Sequence, residues 1–144
     1  MSRSHEHEIL IAAPIERVWA GLTEPALLSR WIVKGAEIEA RKGGLLKLDW
    51  GEEGLSEARV EIWDPPGRLQ YLHLPWEGCP PYPAEGGPRD LYHLEASGEG
   101  TRLRLLCFDM PDAPEWDEFV EGTRTGWPHF LGKLKVLLEG NEQG

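Results

Sequence analysis

The 144-residue chain is short of sulfur, side-chain amides and positive charge, and each shortage closes off a class of function. Two cysteines, Cys79 and Cys107, are too few for a disulfide framework and lack CxxC spacing, so both are expected to be free thiols in a reducing compartment. Lys and Arg number 15 against 25 Asp and Glu, a net charge of −10 with a pI near 4.9. No dense basic cluster offsets this, which argues against a nucleic-acid partner and against docking to an anionic membrane. The longest apolar run, Ile9 to Ile15, is far below the roughly 20 residues of a spanning helix. The opening MSRSHEHE also lacks the charged-then-apolar order of a signal peptide, so a cytoplasmic protein without stable membrane insertion is expected. Amides are confined to Gln70, Asn141 and Gln143, Arg outnumbers Lys, and prolines number 12, a composition leaning toward a thermophilic source. GxSxG, GxxxxGK and GxGxxG are all absent, which leaves hydrolase and phosphate-cradle chemistry without support.

What is present reads as one domain over residues 1–144, long enough to bury about two-thirds of its unfolded surface without a metal or disulfide. Glu8 to Ala12 reads as a first strand. Ile15, Val18, Trp19 and Leu22 then fall at helical spacing after Pro14, and Thr23 is placed to cap a second short helix carrying Leu27, Leu28 and Trp31. From Ala36 to Phe108 the period drops to 2, giving strands at Ala36–Arg41, Leu45–Trp50, Glu57–Trp63, Arg68–Leu74, Asp90–Ala96 and Thr101–Phe108. Alternation puts Ala58, Val60 and Ile62 on one face and Glu57, Arg59 and Glu61 on the other, whereas the faces of Arg68–Leu74 stay unassigned. A helical stripe returns from Trp116 to Leu138, with Asp112 placed to cap it, Gly140 to end it and Pro128 to kink it. An apolar-faced antiparallel sheet and a single long amphipathic helix are reconciled by wrapping one around the other, an α+β helix-grip of about seven strands.

His5 and His7 lie two apart and could share a metal, but two donors fall short of the three or four that zinc needs. A solvated tail and no metal site are expected there. His93 is expected to face solvent, and His129 to pack at the helix margin.

The segment IAAPIERVWAGLTEPALLSRW, Ile11 to Trp31, resembles the opening signature of the START-like (SRPBCC, birch-pollen-allergen-like) superfamily. Within it the chain is similar to the branch named after the activator of the 90-kDa heat-shock chaperone's ATPase. AEIEARKGG, the DPPGRL corner, LEASGEGTRLRL and GWPHFLGKLKVLLEG agree in order, so the resemblance covers nearly the whole chain. It implies a cavity between sheet and C-terminal helix, and members that bind apolar small molecules, modulate a chaperone or act as cyclases. One departure is PWEGCPPYPAEGGP, Pro75 to Pro88, where relatives have a short turn. This segment reads either as a lid carrying Trp76 and Tyr82 or as a proline-stiffened connector.

With seven tryptophans in the chain, the expected cavity wall is Trp31, Leu48, Trp50, Val60, Ile62, Tyr71, His73, Tyr92, Leu94, Leu105, Trp127 and Phe130. The alternative is that these side chains fill the interior and leave no space. Binding or transport of a small hydrophobic ligand, lipid-like or aromatic, is the leading expectation, with no cofactor implied and no catalytic residue assigned. A protein-interaction module would instead show an exposed apolar patch, at Trp63, Trp76 or Trp116. A cyclase- or aromatase-like enzyme would need His73, with Asp90, as an acid/base in the cavity.

Overall fold

The computed structural model describes residues 2–83 and 87–140. Seven antiparallel strands form one sheet in the order β1-β7-β6-β5-β4-β3-β2. These are β1 (Ser2–Ile11), β2 (Gly35–Ile38), β3 (Leu45–Asp49), β4 (Leu55–Asp64), β5 (Arg68–His73), β6 (Arg89–Ser97) and β7 (Gly100–Pro111). Helices α1 (Ile15–Thr23) and α2 (Pro25–Trp31) follow β1, and α3 (Asp117–Glu139) closes the chain, covering the inner face of the sheet. This is the helix-grip arrangement that the change of period from 3.6 to 2 and back requires.

Strand β1 is longer than its apolar residues announce. It begins at Ser2 and pairs with β7 from Ser2↔Pro111 to Ile11↔Thr101, so His5 and His7 belong to the sheet and not to a solvated tail. Its burial alternates along the whole length, with Arg3, His5, His7 and Ile9 on the more covered side.

A second difference lies in β4. The register slips between Val60↔Tyr71 and Ile62↔Gln70, a β-bulge with Glu61 as the extra residue. One inserted residue reverses every side chain beyond it, so Ile62 moves to the outer face opposite Gln70 while Trp63 turns inward opposite Leu69. The outer-face partners explain why the slip is stable. Glu61 accepts hydrogen bonds from Arg89 Nε at 2.9 Å and Gln70 Nε2 at 2.8 Å, and Arg89 also reaches Asp109 at 2.9 Å. Inside, Trp63 meets Trp19 of α1 edge to face at 5.1 Å, a contact contributing about 0.5–1.5 kcal/mol beyond burial. Pairing also settles β5: Leu69, Tyr71 and His73 share the inner face.

Both expected caps are displaced. Thr23 ends α1, its hydroxyl donating to the Trp19 carbonyl at 2.8 Å, and α2 starts from Glu24 with Pro25 in its first turn. Asp112 does not cap α3, which is entered through a tight turn at Pro114–Trp116. Arg3 holds that corner instead, donating to Pro111 and Ala113 carbonyls and pairing with Asp117 at 2.8 Å and Asp112 at 3.9 Å. Helix α3 runs unbroken through Pro128.

Candidate functional site

The sheet and α3 do not close completely against each other. Between them lies a cavity of about 430 Å³, which is also lined by residues of α2, of the Trp50–Ser56 connection and by Trp76. On the α3 side Gly126 is half-buried and borders the space, and a Cβ there would meet nothing within 4 Å, whereas Gly122, one turn earlier, borders it but is exposed to solvent. Where α3 instead offers Leu131, Leu134 and Leu138, the interior is sealed.

Of the expected wall, Trp31, Leu48, Trp50, Tyr71, His73, Tyr92, Trp127 and Phe130 border the cavity, so those residues do not fill the interior. Val60, Leu94 and Leu105 do not border it. They are inner-face residues buried in the core, the last two on strands that α1 crosses. Ile62 is removed by the bulge at Glu61. Trp76 borders the cavity and stacks on Phe119 of α3 at 5.4 Å, whereas Tyr82 packs away from it, against Trp116 at 5.7 Å. Tyr82 also donates a short hydrogen bond to the His73 carbonyl, and Trp116 Nε1 donates to the Pro81 carbonyl at 3.2 Å, which fastens the Pro75–Pro83 segment down. Residues 84–86 of this loop lie outside the described residues.

Asp90, named with His73 as an acid/base of the cavity, borders it, and wall residues not expected from the sequence include Leu28, Ala58, Cys107, Met110 and the glycine pair. Cys107 alternates with Leu103 and Leu105, which already places it inward, and the four-residue spacing of Gly122 and Gly126 beside an aromatic stripe was the available signal for space.

Trp31 forms the floor near α2, its Nε1 donating to the Gly21 carbonyl at 2.8 Å. The polar part of the wall is a cross-strand row. His73 Nε2 lies 2.7 Å from Asp90 Oδ2, and Asp90 is buried. Burial opposes protonation of His73, but the adjacent carboxylate outweighs it and raises the imidazole's pKa. A proton held on His73 can be offered to an acceptor in the cavity. Tyr71, Tyr92 and Cys107 are pushed up by burial first and by Asp90 second, so all three remain protonated donors. The Tyr71 hydroxyl is buried with no hydrogen-bond partner among the described residues. Tyr71→Phe is therefore expected to raise stability by about 1 kcal/mol, since it removes an unsatisfied group at little change of shape. A urea titration in which the variant unfolds earlier than the parent would show that the hydroxyl is satisfied after all.

The family model for activator of Hsp90 ATPase homolog 1-like proteins matches residues 12–139. The chain belongs to this family. It is the branch of the START-like superfamily that the motifs at Ile11–Trp31 and beyond resemble. The AHSA1-like chain is also similar in fold to solved structures at low identity. Protein MLL2253 from Mesorhizobium loti superposes with a TM-score of 0.80 at 24% identity, over 97% of this chain and 99% of that one. The Aha1 dimer from Colwellia psychrerythraea gives 0.78 at 23%, over 97% and 98%. CalU16 from Micromonospora echinospora gives 0.75 at 22%, over 96% and 78%. No curated protein matches the AHSA1-like chain. Family and fold together indicate a domain that binds a ligand or a partner. Among the described residues no helix is long and apolar enough to cross a membrane.

Proposed function

We propose that this AHSA1-like protein binds a small, mostly apolar ligand between its sheet and α3. The observation that carries the reading is the space itself: about 430 Å³ walled by Trp31, Trp50, Tyr92, Trp127 and Phe130, within the size range of small-molecule sites. Dense protein interiors leave few such volumes, and here a half-buried helix glycine, Gly126, borders the space at a cost of about 1 kcal/mol relative to alanine. A guest entering from water gains from the apolar wall and finds His73 and Asp90 as an orienting polar pair.

The surface-interaction reading has less support. Trp116 is buried, Trp63 packs on Trp19, and Trp76 is stacked on Phe119, so the three tryptophans do not form an exposed patch.

The test uses the neutral fluorophore N-phenylnaphthylamine and one variant, Gly126→Phe, whose ring would occupy the space without meeting neighbouring atoms at its Cβ. The parent is expected to enhance the probe's emission saturably, and the variant to bind at least about tenfold more weakly with an unchanged or higher unfolding midpoint. No saturable enhancement by the parent, or equal binding by a folded Gly126→Phe, would refute the assignment. Native mass spectrometry of protein from its own cells then identifies the natural guest.

A further inference from the structure

From the cross-strand pairing we infer a transition-metal site formed by His5, His7 and Cys107 at the edge of the cavity. His5 and His7 project to the same side of β1, and His5 lies directly opposite Cys107 of β7. One donor atom from each of the three residues falls within 4.8 Å of the others. Adjacent ligands on a tetrahedral ion lie roughly 3.3 to 3.7 Å apart, given metal–nitrogen bonds near 2.0 Å and metal–sulfur bonds near 2.3 Å. The donors therefore need to close up by about 1 Å to share an ion.

The hydrogen bonds choose the ligand atoms. Thr123 Oγ1 on α3 donates to the Val120 carbonyl at 3.1 Å, which leaves it as an acceptor toward His5 Nε2 at 3.0 Å. His5 then carries its proton on Nε2 and presents the bare Nδ1 lone pair, which faces His7 Nε2 at 2.8 Å. A ligating imidazole fixed through its second nitrogen by a hydrogen-bond acceptor is the usual outer-shell arrangement of metal sites. On binding, the proton between the rings is replaced by the cation. His7 shifts its proton from Nε2 to Nδ1, and Cys107 loses its thiol proton to water, so one proton is released for each ion bound. Asp90, the cross-strand partner of Cys107, adds negative charge that attracts a cation and also holds the thiol protonated until the ion displaces its proton.

Two imidazoles and a thiolate select zinc or a similar borderline divalent ion over magnesium or calcium. With three protein donors, a further coordination position remains for water or for a donor atom of a bound molecule, because Cys107 and Thr123 both line the cavity. The inference does not depend on a hydrophobic guest, as the ion can be titrated alone.

The chelator-treated full-length protein is titrated with Co²⁺. One equivalent is expected to bind tighter than about 10 µM, with a thiolate-to-cobalt charge-transfer band in the near ultraviolet. Cys107→Ser should abolish that band, and His7→Gln, a milder change on a half-buried strand position, should weaken binding by about tenfold or more. Circular dichroism confirms that each variant is folded. Absence of stoichiometric binding, or binding whose spectrum and affinity are the same in Cys107→Ser and His7→Gln, would reduce the cluster to a hydrogen-bonded histidine pair and overturn the site.

Discussion

Trp116→Ala is expected to lower the free energy of unfolding by about 3 to 5 kcal/mol, the usual range for deleting a fully buried aromatic. Only 1% of Trp116 is exposed, and it sits where three segments meet. Its ring contacts Trp76 at 5.8 Å, Tyr82 at 5.7 Å and Phe119 at 5.3 Å, all edge to face, and its indole nitrogen holds the Pro81 carbonyl. Truncation removes the wedge between α3 and the proline-rich segment, and the hole cannot collapse because prolines limit how that backbone can follow. Urea denaturation should show a lower midpoint with an unchanged slope, whereas a loss below about 1 kcal/mol would mean that the cluster repacks freely. There is a consequence for the proposed ligand site as well. Trp76, which lines the cavity, rests on Trp116 and Phe119, so probe dissociation should be faster in Trp116→Ala than in Trp116→Phe.

Gly44→Ala is the second change expected to damage the protein severely, by about 3 kcal/mol or more, although it adds a single methyl group. A Cβ at Gly44 would lie 2.2 Å from the Glu39 carbonyl oxygen and 2.8 Å from the Glu39 Cβ. The first of these is backbone and cannot rotate away. Gly44 also holds the turn in place, accepting from Val60 N at 2.9 Å and donating to Arg41 O at 2.9 Å, while Gly43 beside it adopts φ +83°. Relief of the clash would part β2 from β3 at the strands that carry Leu46 and Leu48 into the cavity wall. A thermal melt in which Gly44→Ala unfolds within a few degrees of the parent would contradict this account.

The grip architecture is legible in the sequence because its two periods are clean: the apolar stripe from Trp116 to Leu138 and the alternating strands around Leu103 and Leu105 allow few other arrangements. Where the reading departs from the structure, the cause is local. EARVEIW continues its alternation through Glu61 with no glycine or proline to announce a bulge. The bulge is held on its outer side by Arg89, 28 residues away, which period analysis cannot see. HEHE lacks the apolar beat of a strand because histidines occupy its covered side, and its partner strand supplies the third donor only after folding. The site shows a similar division. Aromatic wall residues stand out in a sequence, whereas a glycine that borders the space carries no side chain to count, and Leu94 and Leu105 cannot be told from cavity residues until α1 is placed over their strands.

The glycines of α3 also bear on how such a protein changes over generations. The sheet side of the cavity is locked by cross-strand neighbours, so removing the ring of Tyr71 or Tyr92 disturbs the packing of adjacent strands. Gly122 is exposed to solvent and Gly126 has no such neighbours, so alanine at Gly126 strengthens the helix while reducing the room available. Drift toward greater stability therefore runs toward a smaller cavity, and under the proposed function a lineage that keeps Gly126 is one in which selection for a guest has outweighed that drift.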